Sequence, residues 1–294
     1  MVGPVTETHS THQFIGRRMR RSLLAVVLVA LVLTSGCSFL GGDATPTEPD
    51  ESPTATSTPT TSPTVTPTAT PSEYPAGYSD SGVTDAETAL STHVDTLVDR
   101  QSFVVDINGS VAAGNGTRAL RQLQSIDVDD ERGIVAVNGT SGVERVTYFA
   151  DGKRYLRVDP PGENNTRYNV TNATLEPRGF AGGGFLAPIL TNVTFGGANE
   201  TETENGTFYA YRSTEVDRSV FPTLFGPSVN PENVTRFEAG IVVDESGIVR
   251  RASYQAFVDR GDEQLFVRLD LRTYGIDEAT ISPPTWLDEA EAQS

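Results

Sequence analysis

The chain has 294 residues, 37% of them hydrophobic, and a formal net charge of −17. An acidic excess of that size argues against nucleic acid and anionic lipid headgroups as partners, because like charges repel. A single cysteine excludes an intramolecular disulfide, so an exported domain would have to be held by its core, by glycans or by a tether.

Four arginines, Arg17, Arg18, Arg20 and Arg21, precede an apolar run from Leu23 to Leu33. At ~1.5 Å per residue, that run covers roughly half of a ~30 Å hydrocarbon core. It is short for a transmembrane span and suits the apolar region of an export signal. The stretch Leu33-Thr34-Ser35-Gly36-Cys37 follows directly, and Cys37 is the sole cysteine. This layout resembles a lipoprotein signal peptide ending in a lipobox, with Thr34 where the commonest form has Leu. The resemblance implies that residues 1–36 are removed and that Cys37 becomes a lipidated first residue. Arg20-Arg21-Ser22-Leu23-Leu24 also resembles a twin-arginine export motif, although an ordinary basic leader reads the same way. His9 and His12 would leave with the leader, so His93 is the one histidine expected in the mature chain.

Residues 37–78 read as the lipidated cysteine plus a linker. From Asp43 to about Pro75 the chain is Thr, Pro, Ser and acidic residues, with nothing to form a core and prolines that forbid helices and ladders. Such a spacer extends by ~3.1 Å per residue and has the composition of an O-glycosylated stalk.

Residues 79–288 read as one folded domain, followed by an acidic tail, 289–294. Thr84 to Arg100 has helical spacing, with Ala86, Leu90, Val94, Leu97 and Val98 on one face and a Thr84/Glu87 capping-box pattern at its start. Short strands are then predicted over 102–112, 118–128, 134–137, 144–149 and 153–158, with one more near 168–170. Asp151-Gly152 is a strong hairpin signal, because a type I′ turn needs positive φ at both positions. Around Gly182-Gly183-Gly184 a short helix or lid is expected; a phosphate loop is excluded because no Gly-Lys-Ser/Thr follows. Strands are expected over 206–216, 236–244, 248–258 and 265–271. In the last three, period-two alternation leaves one polar face, as an antiparallel meander covered on one side requires. Pro283-Pro284-Thr285-Trp286-Leu287 closes the domain, with Trp286 packed on its end.

A helix, a meander, a helical piece and a second meander give an α+β domain. With the turn Val243-Asp244-Glu245-Ser246-Gly247-Ile248-Val249-Arg250 and the tail from Tyr274-Gly275-Ile276 to Pro283-Pro284, this order resembles the LolA/LppX-like class of exported lipoproteins and lipid carriers. The resemblance implies a strongly curved antiparallel sheet, an unclosed half-barrel with helices on its concave side. It also implies an apolar or lipid ligand in that cavity, and it transfers no site residue. If the ligand is real, apolar residues on the helix-facing side should not fully pack. The alternative is a structural or protein-interaction lipoprotein of the cell envelope with a filled core. Lipobox, stalk and acidic domain, with Lys153 as the sole lysine, also resemble haloarchaeal surface lipoproteins, anchored outside the cytoplasmic membrane.

Candidate sites are few. Ten Asn-X-Ser/Thr sequons, at Asn108, Asn115, Asn138, Asn164, Asn169, Asn172, Asn192, Asn199, Asn205 and Asn233, offer N-glycosylation positions, and their cluster from 164 to 205 suits exposed loops. Asp127 to Glu131 has oxygen ligands but lacks the spacing of a known cation loop, and reads as a solvated acidic turn. One histidine and a committed cysteine leave no N/S metal set, and no cofactor is expected. With no Gly-X-Ser-X-Gly elbow and an isolated His93, no catalytic residue is assigned and the chain is not expected to be an enzyme.

Overall fold

The carboxylate of Asp85 accepts the backbone N–H of Thr88 at 2.9 Å and so starts the first helix, α1 (Ala86–Val98). The cap is Asp85, one place later than the Thr84/Glu87 pattern indicates. Thr84 is still in the incoming chain, where its N–H bonds the Gly77 carbonyl at 2.9 Å. Ala89, His93, Val94 and Leu97 form the buried stripe of α1. The computed structural model describes residues 74–114, 116–162, 165–227 and 229–293. The expected export leader, Cys37 and the expected spacer, all within residues 1–73, lie outside the described residues.

A two-stranded hairpin, β1 (Tyr78–Ser79) and β2 (Gly82–Val83), precedes α1. The first meander follows: β3 (Ser102–Ala113), β4 (Gly116–Asp127), β5 (Arg132–Gly139), β6 (Glu144–Ala150), β7 (Lys153–Asp159) and β8 (Arg167–Asn172). Asp151 and Gly152 take φ of 53° and 71°, the left-handed pair that a tight β6–β7 hairpin demands. The chain then returns through a 3₁₀ turn (Pro177–Phe180) and α2 (Gly183–Asn192). The second meander comprises β9 (Val193–Phe195), β10 (Asn199–Thr203), β11 (Gly206–Val216), β12 (Val234–Asp244), β13 (Val249–Arg260) and β14 (Glu263–Tyr274). A short helix α3 (Phe221–Phe225) sits between β11 and β12, and α4 (Leu287–Ala292) ends the described chain.

All the meander strands form one 12-stranded antiparallel sheet in the order β10-β11-β12-β13-β14-β3-β4-β5-β6-β7-β8, with β9 beside β11. The two meanders join where β14 pairs with β3, from Leu265 opposite Ala113 to Tyr274 opposite Val104. The ends of the order never meet. The architecture is the expected α+β half-barrel, a curved sheet left open between β8 and the β9/β10 edge.

The two halves of this sheet are covered on opposite faces. On β11–β14 and β3 the inward side chains pack under the helices. Phe185 of α2 and Phe225 of α3 both contact the ring of Tyr254, at 6.1 and 5.7 Å between centroids, and Phe237 lies 5.8 Å from it. The Tyr254 hydroxyl donates to the Leu224 carbonyl at 3.2 Å, which satisfies its one buried polar group. Residues 175–182 then cross the same face. A Cβ on Gly133 of β5 would lie 2.6 Å from the Phe180 ring, and one on Gly182 would lie 2.9 Å from Leu271. Gly182 also has φ of 72°, so both its space and its backbone require glycine.

On β5–β8 the outer, convex face is covered instead. Trp286 stacks on Tyr168 at 5.9 Å and joins Val146, Tyr148, Ala150, Tyr155, Ile281 and Ala290 in a second, smaller core. Trp286 therefore lies across the back of the first meander and not on the end of the domain. Tyr155 and Tyr168 donate to Glu291 and Glu289 of α4 at 3.1 and 2.8 Å, which pins the acidic C-terminal helix to the same face.

Candidate functional site

The inward face of β4–β8 is the part of the concave surface that the helices leave uncovered. Strand register fixes its lining, because directly paired residues point the same way. One row runs Ile107, Gln122, Val137, Arg145, Val158 and Arg167 from β3 to β8. The next runs Val105, Gln124, Val135, Thr147, Leu156 and Asn169. A third ends in Phe149, Arg154 and Thr171, where the Phe149 ring meets Phe180 edge-on at 5.8 Å. Residues 175–180 thus wall one end of a trough whose floor is β4–β7.

Leu120, Val137, Leu156 and Val158 on this floor are half-buried and belong to neither packed core. On the helix-covered half, the equivalent side chains Ile241, Ala252, Leu271 and Tyr254 are at most 2% exposed. The floor also contains polar groups. Gln122 and Gln124 are buried, and Gln124 Oε1 has no hydrogen-bond partner among the described residues. Thr273 Oγ1, in the same row across β3, is likewise buried without a partner. An unpaired buried carbonyl costs about 1–3 kcal/mol, so these atoms make the trough receptive to a hydrogen-bonding group as well as to apolar surface.

The convex face of the other half has a different chemistry. Asp106 accepts two bonds from Arg121, at 2.9 and 2.8 Å, and Asp270 accepts from Arg251 and Arg272 at 2.6 to 2.9 Å. These carboxylates are fully paired, so the cluster is a cross-strand ion network and not a site with open valence.

His93 is fully buried. Its Nε2 faces the Ala181 carbonyl at 2.9 Å and its Nδ1 accepts the Val249 N–H at 3.0 Å. Those partners define the neutral tautomer protonated on Nε2, and burial pushes its pKa down to about 4. It fastens α1 to the 175–182 segment and to β13. In the 127–131 turn, Asp127 Oδ1 accepts the Asp130 N–H at 3.0 Å, and among the described residues no group of His, Cys, Asp or Glu is placed to hold a metal.

Of the sequons, Asn108, Asn138, Asn169, Asn172, Asn199, Asn205 and Asn233 are exposed. Asn169 and Asn172 on β8 and Asn199 on β10 lie on the two edge strands, while Asn108 and Asn138 lie on the interior strands β3 and β5, so the 164–205 cluster is in part a sheet-edge feature and not only one of loops. Asn192 is half-buried at the end of α2 and donates to the Pro188 carbonyl at 2.9 Å. Asn115, Asn164 and Cys37, the position expected to carry a lipid, lie outside the described residues. No motif in the sequence marks the trough, because which face of β4–β7 stays bare depends on where residues 175–182 and 281–292 settle.

A family model described as a family of unknown function, DUF7537, matches residues 22–290. The chain belongs to this family. No curated protein matches the DUF7537 chain. Among solved structures, it is similar to the Mycobacterium tuberculosis lipoprotein LppX at 9% identity and a TM-score of 0.35, over 67% of this chain and 98% of the other. It is similar to a putative outer membrane lipoprotein-sorting protein domain from Vibrio parahaemolyticus at 8% identity and a TM-score of 0.24, over 71% and 100% of the two chains. A Pseudomonas aeruginosa MucA/MucB complex matches at 12% identity and a TM-score of 0.27, over 70% and 60%. Among the described residues no helix is long and apolar enough to cross a membrane.

Proposed function

We propose that this DUF7537 chain is an exported, membrane-anchored binding protein that shelters an apolar ligand in the β4–β8 trough. The observation that carries this reading is the contrast along one face of one sheet. Helices fill the β11–β14 half, while Leu120, Val137, Leu156 and Val158 stay half-buried outside either core. Apolar side chains in a concavity bordered by buried glutamines are the usual make-up of a small-molecule site. Binding, not catalysis, is the role that this lining supports.

The anchor is a lipid on Cys37, followed by the Thr/Pro spacer, which would hold the domain off the outer face of the membrane. The acidic composition suits a salt-rich exterior, where screening reduces self-repulsion. The exposed strand sequons that do not line the trough, Asn108, Asn138, Asn172 and Asn199, are the glycosylation positions that fit this placement.

Native mass spectrometry of the full chain extracted from membranes tests the ligand: a co-purified lipid-sized mass adduct is expected. A clean apo mass, unchanged after incubation with lipid extract, would favour the structural envelope lipoprotein. Cells labelled with isoprenoid or acyl precursors test the anchor. Label should be lost in Cys37→Ser; equal label in both would refute it.

A further inference from the structure

The trough differs in charge from the rest of the molecule. The chain as a whole carries 39 Asp and Glu against 22 Lys and Arg. Yet the inward-facing strand residues of β4–β8 include Arg118, Arg145, Arg154 and Arg167 and no Asp or Glu. The outward face of the same strands carries both signs, with Glu144, Asp159, Lys153 and Arg157 among them. Ion pairs form there, as between Arg157 and Asp159 at 2.7 Å. Among the described residues, neither Arg145 nor Arg154 makes one.

The placement of the arginines along the trough is ordered. Arg145 on β6 and Arg167 on β8 flank Val158 in one row, two strand spacings or ~10 Å apart. Both are exposed, at the mouth farthest from Phe180. Val137 continues their row on β5; the next row inward is Thr147, Leu156 and Asn169, beside the buried Gln124, and the last is Phe149, Arg154 and Thr171. A ligand that matches the mouth has a negative head there and an apolar tail lying along Val137, Val158 and Leu156. Guanidinium groups hold carboxylate or phosphate through paired, charge-assisted hydrogen bonds, and they tolerate apolar flanks better than lysine does.

Building on the apolar-ligand reading above, we infer that the trough takes an anionic single-chain amphiphile, whose headgroup is held by Arg145 and Arg167 across Val158. The net acidity of the chain does not oppose this, because the focusing charges are local and line a low-dielectric wall.

The test uses the full chain and three soluble probes of equal tail, each below its micellar concentration: dodecyl phosphate, dodecanol and dodecyltrimethylammonium. Calorimetric titration should show dodecyl phosphate binding at least about tenfold more tightly than dodecanol, with the cationic probe weakest. Arg145→Gln and Arg167→Gln together should bring dodecyl phosphate down to the dodecanol level and leave dodecanol unchanged. Both side chains are exposed, so folding is not at issue, and retained far-UV circular dichroism verifies it. Equal affinity for all three probes, or no effect of the double substitution, overturns the headgroup assignment while the apolar trough stands. Binding of none of them overturns both. A double variant that loses dodecanol as well also overturns the headgroup assignment, because the arginines would then shape the trough and not select charge.

Discussion

The Nδ1 atom of His93 on α1 accepts the backbone N–H of Val249 on β13 at 3.0 Å, across 156 residues of sequence. The opposite ring nitrogen faces the Ala181 carbonyl, so one buried imidazole joins three chain segments. The bond to Val249 requires an unprotonated Nδ1, and burial holds the pKa near 4 against 6.5 for a free histidine. The folded state therefore binds this proton less well than the unfolded state. The stabilisation is complete above about pH 6.5 and is lost progressively as pH falls toward about 4. Its full span is about 3 kcal/mol. Urea midpoints measured between pH 7 and pH 4 should fall accordingly. In His93→Leu the stability at pH 7 should drop by about 2–4 kcal/mol, through the orphaned Val249 N–H, and this part of the pH slope should disappear.

Gly182→Ala places a methyl 2.9 Å from Leu271 and 3.1 Å from Val105, at a φ of 72°. Strain and overpacking together should cost about 2–4 kcal/mol, read as a lower urea midpoint with an unchanged m-value. Gly184→Ala is the comparison: it sits within α2, where alanine is the better helix former, and should be neutral or slightly stabilising.

Trp286→Ala removes the largest side chain of the convex cluster. A loss of about 3 kcal/mol is expected from area and cavity together. The loss should be local: α4 and residues 281–286 should become protease-sensitive, while hydrogen exchange in α1 and β13 stays slow. Uniform acceleration of exchange would mean that the two cores unfold as one unit.

Leu156→Asp and Val137→Asp test the trough without touching either core. Both positions are half-buried and outside the packed clusters, so stability should change by less than about 1 kcal/mol. Retention of an apolar probe should fall about tenfold or more, because a carboxylate would have to be desolvated on binding.

Gln124→Leu replaces a buried side chain whose Oε1 has no partner among the described residues. The apo protein should gain about 1 kcal/mol in urea titrations. The same change should weaken a ligand that donates a hydrogen bond here and leave a pure hydrocarbon unaffected, as read by competition between dodecanol and dodecane.

Much of the strand content was legible because alternation survives in the sequence wherever one face is buried. The strand Gly206–Val216 coincides with its expected span, and β12 to β14 agree to within three residues at each end. Elements without that contrast were missed. In β10, Asn199–Thr203 are polar and exposed throughout, since it is an edge strand with no covered face. The helix α3, Phe221–Phe225, is five residues with Pro222 at its start, too short for a period to register. The apolar content of α2 was visible, but its role in closing half the concave face was not.

Local chemistry along the chain was enough to establish an antiparallel meander, its turns, a helix before it and an acidic surface, because backbone sterics and period-two burial act within a few residues; the curl of the sheet was implied only by the family resemblance. The expectation of an export leader and of an anchor at Cys37 likewise rests on linear patterns independent of the fold. Only the tertiary structure decided that β3 and β14 join the two meanders, and that the halves are roofed on opposite faces. Those outcomes rest on contacts between residues far apart in sequence. Phe180 against Gly133 and Trp286 against Tyr168 place the two coverings. What neither covers is the arginine-rimmed trough, and no single strand's sequence marks it.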